Sequence, residues 1–482
     1  MTEEGLRKRL AAATVRGLGS CESSLALTAG RRTLLEGAAR AGGFLLSIAV
    51  ARYLGVEMFG RYALALAVFS ALQVLAGAGV QNWLVVSVGG GKGRGRALLL
   101  RGMTGSCLLA AALWGVFVVL SPVLGYGSST KGFVLAVSLA AVPAAMAWSA
   151  DGVLLGLGRA AQGAIGKALA SWLRLGIALV LLGSGAGLAG LVSAVGAGEV
   201  AGLALVTFLA LRAATATAQA ATTPTFWASA PYTIQTFLVV LFLRTDTLML
   251  SVMKGEVEVG IYGAAYRLLE VALLVSSVLG TVALQRLSEA ADRFKHAVSE
   301  AAWLAGLGGL LAAAALSGAS RQIVGLLFGS DFVYSGPVLG ILGLAAFPHF
   351  LNTVLARCLW ARGRIWWTVR VAAVNLVLNI ALNLVLVPRW GARGASVATL
   401  ITLFVALGQN MWLLSRREQI APIGPWLYKG LLAAAAVWVF LNAAGGHVHA
   451  AWLLVAPVAY CVLLYLLGER SLPDRTTRRD AP

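Results

Sequence analysis

Charge is scarce in this sequence. Only 12% of its 482 residues are Asp, Glu, Lys or Arg, while 59% are apolar, and the mean hydropathy is +0.84. A soluble domain carries about 25% charged residues, because its surface faces water. A soluble chain of this length would divide into more than one domain, each needing its own polar coat. The shortage of charge excludes that organisation, and lipid is the solvent that accepts uncovered apolar surface. Cysteine is also rare: Cys21, Cys107, Cys358 and Cys461 lie far apart without ligand spacing, which argues against a disulfide framework or a metal centre. The four histidines form no cluster, and His447 and His449 share a short connector. No Gly-x-x-x-x-Gly-Lys-Ser/Thr cradle occurs; the glycine-rich stretch Gly89–Arg96 lacks that pattern. The connections are too short to hold a catalytic domain, so an enzyme is not expected.

What the chain does contain is glycine, 57 residues of it, and abundant alanine. In water so much glycine would weaken long helices. In a bilayer small residues let helices approach closely, and the cost of unpaired backbone groups keeps them helical. An outer-membrane barrel would need short alternating strands; runs such as Leu432–Phe440 and Leu453–Leu467 do not alternate. The apolar pattern predicts an all-α polytopic membrane protein with spans at 33–52, 61–86, 98–122, 132–156, 165–184, 188–211, 232–252, 261–284, 300–318, 335–357, 366–387, 392–414, 427–444 and 450–467. At a rise of 1.5 Å per residue most of these suit a hydrocarbon layer of ~30 Å. Fourteen is the preferred count, falling to twelve or thirteen if the fifth and sixth runs, divided only by the turn Gly183–Gly187, are not separate spans.

Placement of the basic residues orients these spans. The formal charge of +19 lies in short connections and at the ends, which is topogenic and favours anionic lipid rather than nucleic acid. With the amino terminus inside, 27 Lys and Arg fall on the cytoplasmic face and 7 on the other, the remainder of the 38 lying deeper. The connection around Lys92, Arg94, Arg96 and Arg101 is the clearest marker. Residues 1–32 read as a retained basic cytoplasmic tail, because the first long apolar run begins too late for a cleavable signal. Both termini are expected in the cytoplasm.

The chain also repeats itself. Gly55-Val-Glu-Met-Phe-Gly60-Arg-Tyr62 is matched by Gly255-Glu-Val-Glu-Val-Gly260-Ile-Tyr262, and Gly158-Arg159 by Gly363-Arg364. Six spans separate the copies, so a duplication would keep them in the same orientation.

At these residues the sequence resembles the polysaccharide-biosynthesis branch of the multidrug, oligosaccharidyl-lipid and polysaccharide exporter superfamily. The likeness runs through Leu54–Tyr62, Arg244-Thr-Asp-Thr-Leu-Met-Leu250, Val259–Glu270, Leu327-Phe-Gly-Ser-Asp-Phe332, Ala361-Arg-Gly-Arg364 and Gly391–Ala398. It implies two six-helix lobes in a V around a central cavity, at 33–211 and 232–414. These would be joined by an interlobe connection at 212–231 and followed by two further helices within 415–467 and a cytoplasmic tail at 468–482. It further implies translocation of an undecaprenyl-diphosphate-linked oligosaccharide from the cytoplasmic to the external leaflet of a bacterial inner or plasma membrane, for O-antigen, capsule or exopolysaccharide assembly. Implied partners are that lipid-linked glycan, anionic lipids, and polysaccharide polymerase and assembly proteins. No cofactor is expected, with proton or sodium coupling left open. The alternatives are an ion-coupled exporter of drugs or other amphiphiles and, less favoured, a membrane-bound polymerase or ligase.

Charge at bilayer depth is expensive and faces protein or water, which makes the few intramembrane polar residues the candidates for a substrate path. They are Glu36 and Arg40 in the first span, Asp151 in the fourth, Arg174 in the fifth, Glu199 in the sixth, Arg244 and Asp246 in the seventh, and Arg267 and Glu270 in the eighth. Glu36/Arg40 and Arg267/Glu270 have the spacing of local helical pairs. Arg244 and Asp246 sit roughly 200° apart around their helix and cannot neutralise one another easily, so each should meet partners elsewhere, structural or functional. Asn375, Asn379 and Asn383 form a stripe drifting about 40° per step, suited to interhelical hydrogen bonds or to lining the path. Trp366 and Trp367 fit the membrane interface.

Overall fold

The computed structural model describes residues 3–89, 95–214, 230–289, 294–418, 420, 426–443 and 450–467. Most of the 212–231 connection and all of the 468–482 tail therefore lie outside the described residues. Among the described residues fifteen α-helices follow one another: α1 (Glu3–Gly89), α2 (Gly95–Leu120), α3 (Ser128–Leu139), α4 (Ala141–Gly156), α5 (Ala160–Gly183), α6 (Gly187–Ala213), α7 (Ala230–Met253), α8 (Glu256–Glu289), α9 (Phe294–Gly318), α10 (Ser320–Phe328), α11 (Ser335–Leu344), α12 (Ala346–Ala361), α13 (Ile365–Glu418), α14 (Trp426–Ala443) and α15 (Ala450–Leu466). Among the described residues eleven segments are long and apolar enough to cross a membrane, and two of these, of 56 and 52 residues, are each long enough for two spans. α1 breaks at Gly55 and α13 at Gly391, both in backbone conformations an L side chain rarely adopts. α15 supplies the last apolar helix, and among the described residues each expected apolar span overlaps one or two of these helices.

The left-handed glycines mark a repeat deeper than the sequence echoes showed. Gly55 and Gly255, Gly125 and Gly329, Gly158 and Gly363, and Gly187 and Gly391 all have positive φ, and the four pairs keep a near-constant offset along the chain. Each ends or breaks a helix at the matching connection of the two halves, where absence of a Cβ removes the steric penalty.

The chain groups into two compact units, each discontinuous in sequence. One comprises Met1–Leu46, Leu75–Trp114 and Leu139–Ser229. Its core gathers Leu84, Leu98, Leu99, Val153, Leu154 and Val206. Within it α5 and α6 pack through small residues. A Cβ on Gly166 would collide with Val206, and one on Gly202 would stand 2.8 Å from the Ala170 Cβ, the close backbone approach that glycine permits between membrane helices.

The second unit comprises Ser47–Val74, Gly115–Ser138 and Ala230–Pro482. Here the two copies of the glycine repeat face each other. A Cβ on Gly60 would collide with the Glu256 carbonyl and lie 3.0 Å from the Gly260 nitrogen, and a Cβ on Gly260 would collide with the Val56 carbonyl. Tyr62 and Tyr262, which close the two motifs, are both fully buried. Phe59 packs beside them at 5.5 Å, ring to ring, from Phe332 and 6.0 Å from Phe328. The short helix α10 and the single 3-10 turn Ser330–Phe332 carry those two phenylalanines; the hydropathy pattern leaves this stretch as a connection, because nine residues cannot span lipid.

Candidate functional site

In the first unit the intramembrane charges find each other. Asp151, 1% exposed, lies 3.1 Å from Arg32 and 2.8 Å from Lys167, and accepts a hydrogen bond from the Gln81 amide at 2.9 Å. A Cβ at position 163 would occupy the place of the Asp151 carboxylate, so Gly163 makes room for it. Glu36 joins this network through Arg32 at 2.9 Å and Lys167 at 3.9 Å. The expected local pair with Arg40 is not formed; Arg40 is exposed and has no ion-pair partner among the described residues. Arg32 wins because it can reach Asp151 and Glu36 at once. Arg174 and Glu199 pair across α5 and α6 at 2.7 Å. These contacts neutralise the charges of the unit locally, as buried ions require.

The second unit holds two clusters on opposite faces of α7. On one, Arg244 donates through Nε to the Ser70 hydroxyl at 2.9 Å and through Nη1 to Glu270 at 3.3 Å. Arg267 reaches the other oxygen of the same carboxylate at 2.6 Å. Two guanidinium groups share one carboxylate, leaving a net positive charge, and the Arg244 side chain remains 20% exposed.

On the other face Asp246 is 2% exposed and forms no ion pair among the described residues. Its Oδ2 accepts hydrogen bonds from Tyr262, at 2.5 Å, and from Thr399, while Oδ1 accepts one from the Asn383 amide at 2.7 Å. Asn383 also bonds Asn379. Asn379 Nδ2 and Asn383 Oδ1 are buried without partners. A carboxylate so enclosed is costly unless a proton or a small cation neutralises it, and the hydroxyl and amide oxygens around it are the hard donors that would suit a monovalent cation.

The predicted separation of Arg244 from Asp246 is therefore observed, as is the Arg267–Glu270 pair. The asparagine stripe is buried and bonded between spans: Asn375 donates to Gln409 at 2.7 Å, and Asn383 reaches α7. Trp366 is exposed, and Arg370 lies 4.7 Å from the centre of the Trp367 ring. Periodicity missed Ser70, Tyr262 and Thr399. Tyr262 was visible as the last residue of the repeat, and Thr399 follows the Gly391–Ala398 motif directly, but nothing local showed that both point at Asp246.

Buried polar clusters in a many-spanned helical bundle are how a membrane protein holds charged groups at bilayer depth. Comparison with known proteins narrows the class. The sequence profile described as "Polysaccharide biosynthesis protein" matches residues 32–291, and that of "Lipid II flippase MurJ" matches residues 218–465. The chain belongs to the polysaccharide biosynthesis family of lipid-linked glycan flippases. It is a multi-pass membrane transporter rather than an enzyme. Among individual relatives, it is 24% identical over 209 residues to the probable low-salt glycan biosynthesis flippase Agl15 of Haloferax volcanii, a match covering 42% of this chain and 44% of that protein. The fold is similar to that of the lipid II flippase MurJ in an inward closed conformation, with a TM-score of 0.72 and 14% identity, over 91% of this chain and 98% of that one. An inward-facing MATE multidrug-resistance transporter superposes at a TM-score of 0.60 and 15% identity, over 86% and 96%.

Proposed function

We propose that this protein moves an undecaprenyl-diphosphate-linked oligosaccharide from the cytoplasmic to the external leaflet of a bacterial cell membrane by alternating access. The observation that carries the proposal is the Arg244–Glu270–Arg267 cluster, an excess of positive charge held at the depth of a span by only one carboxylate. Such an excess is stable where an anion completes it, and guanidinium forms charge-assisted, forked hydrogen bonds with phosphate. Arg244 binds the diphosphate, Arg267 holds Glu270, and Glu270 keeps Arg244 extended until the substrate displaces it. The prenyl tail stays in lipid while the glycan head crosses a polar path, so no covalent bond is broken.

Asp246 supplies the energy coupling. Its proton or sodium ion lies on the same helix as the phosphate ligand but on the opposite face, so a change in its charge alters the packing of α7 and with it the setting of Arg244. The names of the relatives, a glycan biosynthesis flippase and a lipid II flippase, support a lipid-linked glycan over a soluble drug. Polymerase and assembly proteins would receive the product.

The test is reconstitution into sealed vesicles with a labelled undecaprenyl-diphosphate oligosaccharide, scoring its arrival in the opposite leaflet without ATP. Transport of organic cations, with no movement of any polyprenyl-linked glycan by folded protein, would replace this reading by that of an amphiphile exporter.

A further inference from the structure

A cavity of about 830 Å³ opens in the second unit, away from both clusters. It lies where the 254–258 connection, Tyr334 at the start of α11, and the break in α13 at Gly391 come together. Lys254, Arg389 and Arg393 line it, all three exposed and without an anionic partner among the described residues. Glu258 is the one carboxylate in the lining. It is engaged by the backbone, accepting the Ala392 N–H at 2.6 Å, and it packs against Gly391, where a Cβ would stand 2.8 Å from its carboxyl carbon.

The place of these cations is unexpected. They belong to the seven Lys and Arg assigned to the cation-poor face, where topogenic selection disfavours basic residues. Others of that set serve the fold: Arg52 donates to the carbonyls of Leu326 and Leu327, and Arg61 pairs with Glu57. The pocket thus concentrates uncommitted positive charge on the face that has least of it. Trp390 and Tyr334, 56% and 68% exposed, stand at its rim, and Val257 and Ile341 give it an apolar wall. Cations beside an apolar wall and rimmed by Trp and Tyr match an amphiphile at the membrane interface, with its charge in the polar layer and its chain in lipid. The volume falls in the range of about 300–1,000 Å³ typical of ligand pockets.

We propose that this cavity is a binding site for a phosphoryl head group, held by Lys254, Arg389 and Arg393 and distinct from the Arg244 cluster. The phosphoryl group can come from an anionic phospholipid or from free phosphate in solution, and the recognition chemistry is the same. The site is independent of the transported substrate, so it is tested without one.

The full-length protein is placed in phosphatidylcholine nanodiscs with increasing phosphatidylglycerol, and lipids retained on release are counted by native mass spectrometry. Inorganic phosphate binding is measured in parallel in discs of phosphatidylcholine alone. Removing a charge-assisted contact weakens binding about tenfold or more. The double variant Arg389→Gln/Arg393→Gln should therefore lose phosphatidylglycerol retention by at least that factor, while Arg389→Lys/Arg393→Lys keeps part of it. Loss in the lipid assay assigns the site to a phospholipid. Loss of inorganic phosphate binding with lipid retention unchanged assigns it to free phosphate. Wild-type behaviour of the double Gln variant in both assays overturns the proposal. If that variant is not recovered folded, Lys254→Gln decides in its place: a fall in either assay supports the site, and unchanged retention of both ligands overturns it.

Discussion

Gly60 and Gly260 offer the sharpest test of how the second unit works. Alanine at either position puts a Cβ where a backbone carbonyl now lies, Glu256 for one and Val56 for the other, and contacts under 3.0 Å are ones that real Cβ atoms essentially never make. The obstructing atoms are backbone, so the segments 55–62 and 255–262 must separate. Overpacking of this kind costs about 1–3 kcal/mol. If the contact exists in one transport state and not the other, the whole of that cost falls on the closed state, shifting the equilibrium about 5- to 150-fold toward separation. A reporter is available at Ala63, which packs 3.1 Å from where a Gly263 Cβ would be. In a background lacking Cys21, Cys107, Cys358 and Cys461, Ala63→Cys should react with an impermeant maleimide at least about fivefold faster in Gly60→Ala or Gly260→Ala protein. Gly105→Ala, with nothing within 4 Å of the added carbon, is the control and should leave the rate unchanged. Wild-type labelling in both variants would refute the gating argument. A lowered melting temperature with unchanged labelling would also refute it, by assigning the clash to folding alone.

Three further outcomes are expected. Arg244→Lys should reduce transport and head-group binding by losing the fork, and Arg244→Gln should reduce both further, by about tenfold or more in affinity; normal binding and transport by folded Arg244→Gln removes the phosphate role. Asp246→Asn should remain folded, since its hydrogen-bond partners can persist, yet lose the response of vesicle transport to an imposed proton or sodium gradient; retained acceleration by either gradient disproves the coupling role. Arg174→Ala should destabilise the first unit by about 3–5 kcal/mol, because Glu199 is left unpaired, while Arg174→Met/Glu199→Leu restores most of the melting temperature.

The sequence by itself determined the membrane class, the helical nature of its apolar spans and the existence of a repeat. Each of these follows from local regularities: the length of an apolar run, the absence of alternation, the recurrence of Gly-x4-Gly-x-Tyr. It also separated Arg244 from Asp246, because two steps along a helix dictate opposite faces whatever the surroundings. It could not choose partners. Glu36 had Arg40 at helical spacing and took Arg32, since Arg32, unlike Arg40, also lies against Asp151, which is more than a hundred residues away in sequence. Likewise Tyr262, Thr399 and Asn383 converge on Asp246 from two other helices, and the two glycine motifs press their backbones together. Lys254 is more than a hundred residues from Arg389 and Arg393 in sequence, and only the fold brings the three around one cavity. Helix formation and span placement are decided by hydrogen bonds and hydropathy within a few turns. Which charges meet depends on contacts between helices far apart in the chain, and only the tertiary structure makes those.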